Sequence, residues 1–90
     1  MSDYLEAVVD EPTFLTFVEA LADDRRRADR AVARAVGEAQ NGWENDSIQD
    51  FLEAGHAWAQ DSTFGAEQGL ASAAPWKKFA VFLYAGKIYE

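Results

Sequence analysis

Pro75-Trp76-Lys77-Lys78-Phe79-Ala80-Val81-Phe82-Leu83-Tyr84-Ala85-Gly86-Lys87-Ile88-Tyr89-Glu90 is the stretch on which the fold turns. Phe79 to Ala85 is an unbroken apolar run within a chain of 90 residues. A segment apolar on every side cannot lie on a surface; it is the centre of a core, or half core and half interface. Phe-Ala-Val-Phe-Leu-Tyr is rich in β-prone residues, yet three features favour a helix. Pro75 stands where a first helical turn begins, and Trp76, Phe79, Ala80 and Leu83 recur at i, i+3, i+4 and i+7. The chain also offers no second strand, and a lone strand leaves its backbone polar groups unsatisfied.

Working back along the chain, Ser47-Ile48-Gln49-Asp50 has the spacing of a capping box. The Ser47 hydroxyl would accept from the Asp50 amide while the Asp50 carboxylate reaches back. Ile48, Phe51, Leu52, Gly55, Trp58 and Ala59 then form the predicted buried stripe of a helix whose outer face carries Gln49, Glu53 and Gln60. Asp61 to Ala74 contains Gly65 and Gly69 and reads as a loop with one turn around Phe64. Upstream, Asp10 caps a helix with Pro12 in its first turn. Phe14, Val18, Leu21, Arg25, Ala28, Val32, Ala35 and Ala39 continue one helical face towards Asn41-Gly42, a left-handed helix end. One helix of about 40 Å fits this segment. A pair bent near Asp23-Asp24 is the preferred reading, because an uninterrupted helix is long for so small a domain. The predicted fold is all-α: one small domain, residues 1–90, built as a bundle of three to four helices.

Composition narrows the function classes. The 49% hydrophobic and 13% aromatic content is that of a globular chain. A domain this size buries roughly 60–65% of its unfolded surface, enough to fold alone with little excess. There is no cysteine, hence no disulfide framework or thiolate zinc site. The acidic N-terminus lacks the features of a signal peptide, and no apolar run approaches the roughly 18–20 residues of a membrane span. A soluble cytoplasmic protein is the expectation. The net charge of −8 is distributed unevenly. Residues 1–24 carry −7, residues 25–34 carry +4, residues 35–76 carry −7 and residues 77–90 carry +2. Such a chain is repelled by nucleic acid and anionic membrane, so neither is an expected partner. Within the basic block, Asp23 and Arg27, and Arg25 and Asp29, are spaced to pair along a helix, and Arg26, Arg30 and Arg34 form an unpaired stripe.

No catalytic set is visible. His56 is the one histidine, with no serine at helical reach and no second histidine for a metal set, so no nucleophile–base trio, metal site or cofactor is predicted. No glycine-rich phosphate loop and no calcium-loop pattern occurs. Three tryptophans, Trp43, Trp58 and Trp76, are expected to fill the core. Trp43 is the one best placed to be an exposed hot spot, since it lies in a loop among polar residues.

The order Phe14-x-x-Phe17-Val18-x-Ala20-Leu21, then Trp43-Glu44-Asn45-x-Ser47-Ile48-x-Asp50-Phe51-Leu52-Glu53-Ala54, then Ala57-Trp58, Pro75-Trp76-Lys77-x-Phe79-Ala80 and Ile88-Tyr89-Glu90 resembles the pattern of a family of small bacterial domains of unknown function. The resemblance runs from about Thr13 to Glu90, with a longer, arginine-rich departure between Asp23 and Gly42. It implies a small helical domain and supplies no activity.

These observations lead to a non-enzymatic module that binds another protein, in one form an antitoxin- or immunity-like protein covering a basic toxin. One alternative is a structural homodimer across the C-terminal helix. The other is a ligand binder or enzyme using Glu44, Asn45 and Asp50 around a Trp43/Trp58 pocket. Trp76, Phe79, Ala80 and Leu83 are predicted to face the core. Val81, Tyr84 and Ile88, with Lys77 and Lys78 nearby, are left as the exposed apolar remainder. The candidate interaction residues are therefore Trp43, Glu44, Asn45, Val81, Tyr84 and Ile88.

Overall fold

Local signals set where each helix begins. In a computed structural model, which describes residues 2–34, 42–66 and 69–89, the elements are α1 (Ser2–Glu6), α2 (Glu11–Arg34), α3 (Ile48–Asp61), a 3₁₀ turn (Leu70–Ser72) and α4 (Pro75–Ile88). No strand occurs among the described residues. Asp10 caps α2 through its carboxylate, which accepts from the Thr13 amide (3.1 Å). Thr13 Oγ1 returns the bond by accepting from the Asp10 amide (3.0 Å), a reciprocal cap. The Asp50 amide donates to Ser47 Oγ (3.0 Å) at the start of α3. Pro75 occupies the first turn of α4. The expected turn around Phe64 is present and takes positive φ at Thr63 and Phe64 (53° and 52°).

The structure corrects the expected bend in α2. The helix passes unbroken through Asp23-Asp24. Both acids are engaged there: Asp23 pairs with Arg26 (2.6 Å), and Asp24 turns inward to the core-side network described below. Arg25 pairs with Asp29 as predicted (2.8 Å), whereas Asp23 takes Arg26 in place of Arg27, so Arg26 is not part of an unpaired stripe. Ala28, one turn on, is fully buried, which anchors the second half of the helix. The predicted helix end at Asn41 lies outside the described residues. Gly42 has φ +89°, the left-handed geometry that glycine adopts without steric penalty.

α4 is the hub, in contact with α1, α2 and α3, while α2 and α3 have no broad contact with each other. This central position accounts for a helix apolar on nearly all sides. Val8, Phe17, Leu21, Ala28, Trp43 and Ala80 form the buried core, with Phe14, Trp76, Leu83 and Tyr84 packed against it. α3 lies close on α4 because two glycines permit it. A Cβ on Gly55 would stand 3.1 Å from the Phe82 ring, and one on Gly86 only 2.9 Å from the Phe51 ring and carbonyl oxygen. The Lys77 ammonium donates to the Leu5 and Glu6 carbonyls (2.8 and 2.9 Å), closing the end of α1, a helix the sequence reading did not anticipate.

Three core assignments are overturned. Phe79 is 51% exposed, because its ring sits edge-on at the rim of the Phe14/Trp76 cluster. Ile48 and Leu52 are 81% and 53% exposed, because α3 turns Ala54 and Trp58 towards the interior instead. Trp58 packs edge-to-face on Phe64 (5.5 Å), which stacks on Phe82 (5.8 Å).

Candidate functional site

Since α2 and α3 both rest on α4 without closing on each other, a valley remains between them. Val18, Leu21, Ala22 and Arg25 of α2 form one wall, and Ile48 and Phe51 of α3 form the other. Leu83 and Trp43 line the space between them, and Asn45 to Ser47 close one end. The groove has a volume of about 330 Å³ and is almost wholly apolar.

The closed end is held by a polar network built on three tryptophan-loop residues. Trp43 is 7% exposed; its ring stacks on Phe51 (6.2 Å) and its Nε1 donates to Asp24 Oδ2 (2.9 Å). The same carboxylate oxygen accepts from Lys87 Nζ (2.7 Å). Lys87 is itself 7% exposed, with its ammonium 5.6 Å from the Trp43 ring centre and 5.8 Å from that of Tyr84. Arg25 also lies over the Trp43 ring (5.2 Å) and donates to the Asn45 carbonyl (3.1 Å). Asn45 Nδ2 donates to the carbonyls of Gly86 and Tyr89 (both 2.9 Å), and the Glu44 amide donates to the Lys87 carbonyl (2.9 Å). Burial acts to raise the Asp24 pKa. The hydrogen bonds from Lys87 and Trp43, with the charges of Lys87 and Arg27, outweigh it and hold the carboxyl below its ordinary value.

The six candidate residues are thus distributed unevenly. Trp43 is buried, Asn45 is half-buried and engaged, and Glu44 between them is exposed. Val81 and Tyr84 are half-buried, and Ile88 is exposed. Trp43, Glu44, Asn45 and the last turn of α4 come together at the end of the groove, and Tyr84 joins them through Lys87. Trp58 does not line the groove, and Asp50 is exposed in the first turn of α3, so the two do not converge with Trp43 on one pocket. Among the described residues, no group of histidine and acidic side chains could hold a metal ion. Sequence reasoning missed Asp24, Lys87, Ile48 and Leu52. Lys87 had a visible signal, being the first cation after the apolar run Phe79 to Ala85.

Residues 10–90 match the model of a family of unknown function, DUF7660. The chain belongs to that family. The match covers α2, α3 and α4, hence every wall of the groove. No curated protein and no solved structure matches the chain. No helix among the described residues is long and apolar enough to cross a membrane.

Proposed function

We propose that this DUF7660 member is a non-enzymatic interaction module that docks a basic partner protein in the groove between α2 and α3. The observation that carries this reading is Ile48, 81% exposed at the mouth of an apolar groove. A folded chain gains nothing by presenting a β-branched aliphatic side chain beside an apolar valley that no other described residue fills unless something covers both. Glu44, exposed at the closed end, joins Ile48 and Leu52 in the proposed surface, with Trp43 and Asn45 as its rigid support. The net charge of −8 supports a basic partner. An antitoxin- or immunity-like role is one form of this reading.

The test is a photo-crosslinking amino acid at position 48 in the native host. A single protein adduct is expected there, absent when the crosslinker replaces Thr16 on the opposite side of α2 and lost with Leu52→Asp. No adduct, or the same adducts from both positions, would remove the reading.

A second reading is self-association across α4 through Val81, Tyr84 and Ile88. Ile88 and Phe79 are both exposed and support it, but nine residues along a helix place them on opposite faces. Sedimentation at micromolar concentration that gives only the 10.0 kDa monomer would dispose of it.

A further inference from the structure

A second concavity lies on the other side of α2. Ala20, Asp23, Arg27 and Arg30 of that helix and Tyr4 of α1 border a polar hollow of about 290 Å³. At about 100° per residue, these four positions of α2 fall on the face opposite Val18, Ala22 and Arg25. The hollow is therefore independent of the α2–α3 groove. We infer that it binds a small phosphate monoester, held between Arg27, Arg30 and the Tyr4 hydroxyl.

The first argument is what these cations lack. The chain has 16 acids and 8 lysines and arginines, so a base left without a carboxylate is unexpected. Arg25 pairs with Asp29, Arg26 with Asp23 and Lys87 with Asp24. Arg27 and Arg30 make no hydrogen bond or ion pair among the described residues, yet both border the same hollow. Arg27 acts on Asp24 only through its charge, and that carboxylate already holds Lys87 and Trp43. Asp23, the acid in the lining, accepts from Arg26 at 2.6 Å. Its charge is offset there, and the hollow keeps the charge of two guanidiniums.

Geometry brings the two together. Residues three apart on a helix have Cβ atoms about 5–6 Å apart, and their side chains lean towards its N-terminus. Arg27 and Arg30 thus reach back along α2 towards Ala20, whose methyl group leaves room. Tyr4 is 49% exposed, and its hydroxyl has no partner among the described residues, so a third donor comes from α1.

Charge and shape give the ligand class. A phosphate monoester carries about −1.5 to −2 near neutral pH and three acceptor oxygens. That matches two planar guanidinium forks and a phenol. A carboxylate has about half the charge, and a single arginine satisfies both of its oxygens. The hollow lies just below the roughly 300–1,000 Å³ of drug-sized sites, which suits a small monoester. With a net charge of −8 the chain repels anions at long range, so binding depends on contact with both arginines.

The test titrates the isotope-labelled chain with glycerol 3-phosphate at constant ionic strength, following the Nε–H signals of Arg27 and Arg30 and the Tyr4 ring. Saturable shifts at all three are expected, with Kd about 1 mM or tighter. Acetate should bind at least about tenfold more weakly. Arg27→Gln and Arg30→Gln should each cost about tenfold in affinity or more, with unchanged melting curves because both side chains are exposed. Tyr4→Phe should cost about threefold. Lys78→Gln, which removes a cation outside the hollow, should leave affinity unchanged. No saturable shift at the two arginines, equal binding of acetate, or equal losses from Arg27→Gln and Lys78→Gln would overturn the inference. Tighter binding of inorganic phosphate than of glycerol 3-phosphate would also overturn it, since the free ion would then be the ligand.

Discussion

Lys87 is a cation placed where an apolar side chain would be the simplest filler. Its charge is met by Asp24, 63 positions earlier in the chain, and no local pattern could have shown this. The pairing gives the Trp43-Glu44-Asn45 motif a structural meaning. Its indole and carboxamide secure the connector to α2 and α4, and only Glu44 turns outward. Replacing Asp24 by leucine strands a buried ammonium and should cost about 3 kcal/mol in denaturant titration. Lys87→Met should cost less, because Asp24 keeps its bond from Trp43 and some contact with water. The double variant should recover much of the loss, giving a large coupling energy. The pH dependence follows from the same group. A lowered carboxyl pKa stabilises the fold above the ordinary aspartate value of 3.8. That stabilisation fades as pH falls from there through the lower folded value. Acid melts of the parent chain should therefore lose stability over this range more steeply than those of Asp24→Asn.

At the scale of elements, the features that were legible were those decided within one or two turns. The Asp10 and Ser47 caps, Pro75 at the start of α4 and the helical character of its apolar run all depend on neighbours close in sequence. Ser47→Ala should cost about 1 kcal/mol by thermal unfolding. The misread features depended on what each helix packs against. Ile48 and Leu52 share an apolar face with Phe51, but α3 is rolled so that Ala54 and Trp58 meet α4 and the two aliphatics do not. The roll is set by Gly55 and Gly86, whose missing side chains admit Phe82 and Phe51. Gly86→Ala improves helix propensity by up to about 1 kcal/mol, yet its Cβ would meet the Phe51 carbonyl at 2.9 Å. Overpacking of about 1–3 kcal/mol outweighs the gain, so the variant should melt at lower temperature.

For the molecule as a whole, composition indicated an acidic helical domain, and the uneven charge along the chain suggested a basic partner. The groove was invisible at that level because it is a space between α2 and α3, created by how both lie on α4. No stretch of sequence encodes a gap. Ile48, which lines it, and Leu52, one turn further along α3, should also be energetically idle in the isolated chain. Ile48→Ser and Leu52→Ser are expected to change stability by no more than about 0.5 kcal/mol each, a contrast with the Asp24 variants that denaturant titration would show directly.

The hub position of α4 bears on how the chain is made. α1, α2 and α3 are synthesised first, but α2 and α3 meet chiefly through a helix that follows both. Until residues 75–88 have cleared the ribosome, Phe17, Leu21 and Phe51 lack the α4 side of the core they pack into. The nascent chain therefore holds α2 and α3 without their shared packing partner until that late segment emerges. Ribosome-bound chains stalled before α4 clears the exit tunnel should be cut readily by protease, and protection should appear in a single step once it does.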